Sequence, residues 1–139
     1  MKIPQNIQVF GNLDYRGGCP REAAEQITFF NWLRLASPDV YGVIATHIRN
    51  EGKRSNGLKH KAEGMTTGAP DIIIPGCPSF CCELKRQNHT KSKLSAEQIR
   101  YLETAQKTGA FCCVALGFEG AKEAFLAWSK LLLLALDQH

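Results

Sequence analysis

Apolar residues recur at helical spacing from Arg21 to Leu35, at Ala23, Ile27 and Phe30 with Phe29 and Leu33 beside them, and Pro20 stands where a first helical residue belongs. This predicts a first helix that Ser37-Pro38 closes, because a residue before proline is driven out of helical geometry. Tyr41 to Ile48 is rich in strand-favouring residues and predicts a strand. Asp71 to Ile74 and Phe80 to Lys85 are apolar runs on either side of Pro75-Gly76-Cys77-Pro78-Ser79, which predicts two strands joined by a turn. Ser95-Ala96-Glu97-Gln98 has the form of a capping box, so a helix starts there and runs through Ile99, Leu102 and Ala105 to a stop at Gly109. Ala110 to Leu116 then predicts a buried strand. A last helix from about Glu119 to Leu136 carries Ala124, Phe125, Trp128, Leu131, Leu132 and Ala135 on a broad apolar face.

The order is α-β-β-β-α-β followed by a C-terminal helix. A helix between the third and fourth strands implies a crossover, hence an α/β fold with a mixed four-stranded sheet flanked by helices. Residues 1–139 have the length of one domain, with 1–18 as an irregular N-terminal arm. Two polar segments interrupt the pattern, Arg49 to Gly68 and Arg86 to Leu94. A loop as long as the first is usually a functional element.

Composition changes this picture little, but the placement of charge adds to it. The net charge is +4, and the basic residues collect in the two polar segments: Arg49, Lys53, Arg54, Lys59 and Lys61 in one, Arg86, Lys91 and Lys93 in the other. Basic segments on both sides of one hairpin suit a polyanionic partner. No signal peptide stands at the N-terminus and the Leu131–Leu134 run is too short to span a bilayer, so no membrane association and a cytoplasmic location are expected. The six cysteines include the adjacent pairs Cys81-Cys82 and Cys112-Cys113 in strand-like runs, where neighbouring thiols point to opposite faces. That spacing favours buried reduced thiols over a zinc site. His47, His60, His89 and His139 show no metal spacing and read as surface or loop residues.

The hairpin also carries chemistry. Glu83 and Lys85 are two residues apart and share one face of their strand, while Phe80, Cys82 and Leu84 point to the other. Asp71 begins the partner strand. Phosphodiester hydrolysis with a divalent cation needs clustered carboxylates to hold the metal and a positive group to organise water and phosphate. An isolated E-x-K is weak evidence, since an exposed sheet face can carry a Glu-Lys pair. Here it stands with Gly68-Ala69-Pro70-Asp71, a tight turn and a basic loop.

Taken together these residues resemble the PD-(D/E)XK nuclease signature. From about Glu22 to Ala124 the chain is similar to the VRR-NUC family of that superfamily: Glu22 and Gln26 match its helix-borne acid and glutamine, Asn50-Glu51-Gly52 its loop, Gly68 to Asp71 its G-x-P-D, Glu83 to Lys85 its E-x-K, and Ser95 to Gln98 its S-x-x-Q helix start. The resemblance implies a restriction-endonuclease-like fold and a Mg²⁺- or Mn²⁺-dependent DNA endonuclease selective for branched or junction DNA. It implies Asp71, Glu83 and Glu22 as metal ligands with the Leu84 carbonyl as a further oxygen, Lys85 as the catalytic cation and Gln98 as a neighbour of the site. Glu25, close to Glu22 on the same predicted helix, stays open as the alternative acid, and Gln98 is equally explained by its capping position.

Arg49, Asn50, Lys53, Arg54, Lys59, Lys61, Arg86, Lys91 and Lys93 are the candidates for DNA contact, and phosphate contacts of that kind position DNA without reading its sequence. The apolar last helix predicts a homodimer. If virus-encoded, the protein would act in the host-cell cytoplasm. A noncatalytic nucleic-acid-binding module that kept the fold is the alternative from another class, and a thiol-based protein using Cys77, Cys81 and Cys82 is a third.

Overall fold

The computed structural model describes residues 1–48 and 61–137. Arg49, Asn50, Lys53, Arg54 and Lys59 lie outside the described residues, as do His60 and His139.

The elements follow the hydrophobic pattern closely in the second half of the chain. They are β1 (Gln8–Phe10), α1 (Glu22–Ala36), α2 (Tyr41–Ile44), β2 (Ile72–Ile74), β3 (Phe80–Lys85), α3 (Ala96–Lys107), β4 (Phe111–Leu116) and α4 (Gly117–Asp137), with a short 3-10 turn at His89–Lys91. The sheet has the order β1-β4-β3-β2, parallel between β1 and β4 and between β4 and β3, and antiparallel between β3 and β2. It is the mixed four-stranded sheet flanked by helices that the element order implies, but with a different first member.

The expected strand at Tyr41 to Ile48 is instead one helical turn, α2, followed by a single bridge from Thr46 to Ile73. Strand preference at Val43 and Ile44 loses to tertiary anchoring. The Tyr41 ring packs against Phe125 and Trp128 at centroid distances of 5.4 and 5.2 Å, and the Gly42 amide donates to the Ser37 carbonyl, so the chain turns back on α1. The fourth strand comes from the N-terminal arm. Gln8–Phe10 pairs with Cys113–Ala115, Ile7 is buried and the Phe10 ring lies 6.1 Å from that of Phe111.

Alternation along β3 and β4 sorts the core into two layers. Phe80, Cys82, Leu84, Cys113 and Ala115 face Phe29, Phe30 and Leu33 of α1 and Ala121, Ala124, Phe125 and Trp128 of α4. Cys81, Cys112, Val114 and Leu116 face Leu102 of α3, with Ile99 and Ala105 at its margin. The register sets Cys81 opposite Cys112 and Cys82 opposite Cys113, and every described cysteine is a free thiol. Glu83 and Lys85 share the parity of Cys81 and therefore lie on the α3 side of the sheet.

Candidate active site

Two features of the sequence place Asp71 beside Glu83. Antiparallel pairing sets Ile72 opposite Cys82, and one further step along that register puts Asp71 opposite Glu83 on the same face. Gly68 adopts φ +84°, and a Cβ there would stand 2.5 Å from the Glu97 carbonyl, so the Gly68–Asp71 segment packs directly on the first turn of α3. Asp71 is held by its Oδ2, which accepts from the Leu84 amide at 2.9 Å.

Glu83 and Lys85 are only 2% and 4% exposed, so their charges have left bulk water and require partners. α3 supplies one. Gln98 Nε2 donates to Glu83 Oε1 at 3.0 Å, and Lys85 Nζ donates to Gln98 Oε1 at 3.2 Å while lying 3.7 Å from Glu83 Oε1. The same Gln98 Oε1 accepts from the Ser95 amide at 2.9 Å and the Ser95 hydroxyl accepts from the Gln98 amide at 3.1 Å, which completes the capping box. Gln98 thus serves both roles left open by the sequence: it closes the helix and tethers Glu83 and Lys85.

Burial raises the Glu83 carboxyl from its ordinary 4.5 to about 10, reinforced by the charge of Asp71, with Lys85 opposing weakly. No donor among the described residues reaches Glu83 Oε2, although that oxygen is buried. Two facing carboxyls, one with an unsatisfied oxygen, form a donor set that fits a divalent cation. Magnesium commonly binds to proteins through only one or two carboxylates, with water and substrate phosphate completing its shell. Among the described residues no group of three His, Cys, Asp or Glu side chains is spaced to hold a metal.

Glu22, expected to complete that site, opens α1 and is joined to the end of β3 through a serine. Its Oε1 accepts from the Ser92 hydroxyl at 2.7 Å, and Ser92 Oγ accepts from the Arg86 amide at 3.0 Å. Glu25, the alternative, accepts from the Phe118 amide at the start of α4 and is thereby directed elsewhere. Ser92, buried between two exposed lysines, carries no sequence signal that singles it out.

His47 is a second residue that sequence reasoning missed. The Thr46–Ile73 bridge brings it to Asp71, where its Nδ1 donates to the backbone carbonyl at 2.8 Å; a carbonyl only accepts, so this nitrogen carries the proton. Nothing local could reveal a contact across 24 residues.

The basic candidates divide. Lys91 and Lys93 are exposed beyond β3, and Lys61 lines the broad cleft between 61–67 and the outer face of α3, with Arg100 and Tyr101. The Arg86 guanidinium is bound to the carbonyls of Cys19 at 2.8 Å and Pro20 at 3.2 Å, tying the N-terminal arm to the end of β3.

No protein-family model matches the sequence, and no curated protein does. Among solved structures, one described as a VRR_NUC domain protein superposes with a TM-score of 0.68 at 22% identity, covering 84% of this chain and 93% of the other. At that identity the likeness speaks for the fold, and it agrees with the motif resemblance. No helix among the described residues is long and apolar enough to cross a membrane. The chain therefore has the fold of that VRR_NUC domain protein.

Proposed function

We propose that the protein is a divalent-metal-dependent DNA endonuclease, selective for branched or junction DNA, with Mg²⁺ or Mn²⁺ held by Asp71 and Glu83. The observation that carries this reading is the cross-strand carboxyl pair with an unsatisfied buried oxygen on Glu83, beside Lys85 and Gln98. A structural Glu-Lys pair on a sheet face has no need of that burial. A cation bound there would neutralise charge on the scissile phosphate and lower the pKa of an attacking water. Lys85, kept in place by Gln98, orients that water and stabilises negative charge developing on the phosphate. The Leu84 carbonyl and Glu22 would supply further oxygen atoms, Glu22 once released from Ser92. Lys61, Lys91 and Lys93 would hold flanking phosphates, which also draw on the basic residues at 49–59.

The test incubates purified protein with linear duplex, single-stranded, flap and four-way junction DNA in Mg²⁺, Mn²⁺ or EDTA, alongside Asp71→Ala, Glu83→Ala and Lys85→Ala. Metal-dependent cutting strongest on branched DNA is expected, with each substitution lowering the rate by roughly 10²-fold or more. Cutting that survives both carboxylate substitutions overturns the site, and tight binding without cutting turns the reading to a noncatalytic module. Leu126, Leu131, Leu133, Leu134 and Leu136 of α4 are exposed, and we infer that they pair two copies. Sedimentation of a monomer at working concentration overturns the dimer.

A further inference from the structure

One face of α1 carries Gln26 and Ile27, Phe30 and Asn31, then Arg34, a stripe at three- and four-residue spacing. Across from it runs Ala45-Thr46-His47, and the two enclose an open groove of about 390 Å³. That volume lies within the range of small-molecule sites, roughly 300 to 1,000 Å³. The groove extends along about 12 Å of helix, the span of a few nucleotides stacked at roughly 3.4 Å. Half of its lining residues bring neutral hydrogen-bonding side chains, Gln26, Asn31, Thr46 and His47. Arg34 supplies a cation over the Phe30 ring at 5.5 Å, and Ile27 offers an apolar surface 62% exposed. At one end His47 is bonded to the backbone carbonyl of Asp71, so that end of the groove borders the start of the strand that carries Asp71.

We infer that this groove binds unpaired nucleotides of the strand being cut, immediately beside the scissile phosphate. Amide and hydroxyl groups lining a groove suit base edges, which a paired duplex keeps inside its stack. One cation among them suits a single phosphate rather than the side of a double helix. Ile27 gives a base an apolar face to lie on, and His47 fixes the groove wall to the backbone of Asp71. The inference rests on the nuclease reading and specifies where its substrate strand runs.

Binding of a fluorescent single-stranded oligonucleotide is measured by anisotropy in Ca²⁺, for the unaltered protein, Arg34→Ala and Asn31→Ala. Cutting is followed separately in Mg²⁺. A second oligonucleotide carries 4-thiothymidine for photocrosslinking. Both altered side chains are exposed, and melting curves verify that the variants fold. Each variant is expected to bind roughly tenfold more weakly, the loss of one contact to a charged or amide group, with crosslinks in 26–34 or 45–47. If the unaltered protein binds or cuts DNA but both variants keep full affinity and crosslinks fall elsewhere, the groove assignment is wrong and the nuclease reading stands. Absence of both binding and cutting in the unaltered protein overturns the two together.

Discussion

At the scale of single residues, Glu83 is a group whose acid-base chemistry the fold alters strongly. Its carboxyl is held near 10 against 4.5 in an unfolded chain, so between those values the folded protein keeps a proton that the unfolded chain releases. The stabilising contribution is fully present below about 4.5 and is lost as pH rises toward 10. In EDTA the melting temperature should therefore fall with pH across the neutral range, and Glu83→Gln, which cannot ionise, should melt on the order of 5 °C above the unaltered protein at pH 8. Magnesium should raise the melting temperature of the unaltered protein and flatten its pH slope, and should do neither in Glu83→Gln. An unaltered protein whose stability in EDTA is level from pH 6 to 9 would refute the account. Gln98→Glu separates the two tasks of that side chain. Glutamate still closes a capping box, so circular dichroism should show α3 intact, while loss of the Nε2 donor to Glu83 should lower kcat roughly 10- to 100-fold.

At the scale of elements, Gly68 packs the segment leading into Asp71 against α3. Gly68→Ala meets both a left-handed backbone and the Glu97 carbonyl, so a cost of about 1 to 3 kcal/mol is expected in urea unfolding. The loss should reach catalysis as well, because Asp71 lies three residues on and its position depends on that contact. β3, α3 and β4 were legible because their patterns are local: alternation in Phe80–Lys85, a capping box at Ser95–Gln98 and a left-handed stop at Gly109. The 41–48 segment was misread because its outcome hangs on Tyr41 reaching an aromatic cluster more than 80 residues away in sequence. β1 was unreadable for the same reason. Three residues are too few for alternation to show, and their pairing partner is β4.

At the scale of the whole molecule, the aromatic cluster holds α1, α2 and α4 on one face of the sheet. Trp128 is its centre, fully buried, within 6 Å of Tyr41, Phe80 and Phe125 by ring centroids and donating its indole N–H to the Pro78 carbonyl at 2.8 Å. Trp128→Ala should cost about 3 to 5 kcal/mol. Circular dichroism during urea titration would measure it; a loss under 1 kcal/mol would show that α4 is held by other contacts. Among the described residues the opposite face is covered by one helix, α3, whose N-terminal end borders the acid-lysine set. The candidate side chains Asp71, Glu83 and Lys85 thus sit beside the N-terminal end of α3.

The sequence by itself placed Glu83 and Lys85 on one face of their strand and Asp71 at the start of the strand before it, because strand period and a short connection act locally. The register that sets Asp71 opposite Glu83 came from the structure. The sequence also determined the capped helix that brings Gln98 near them. Only the tertiary structure decided that Glu83 and Lys85 are buried rather than solvated, that Glu22 is engaged with Ser92 while Glu25 is directed to α4, and that His47 supports Asp71. The physical reason is range. Alternation, capping and turn chemistry act within a few residues, whereas burial and long-range hydrogen bonds depend on which distant layer closes over a face, and no local pattern encodes that.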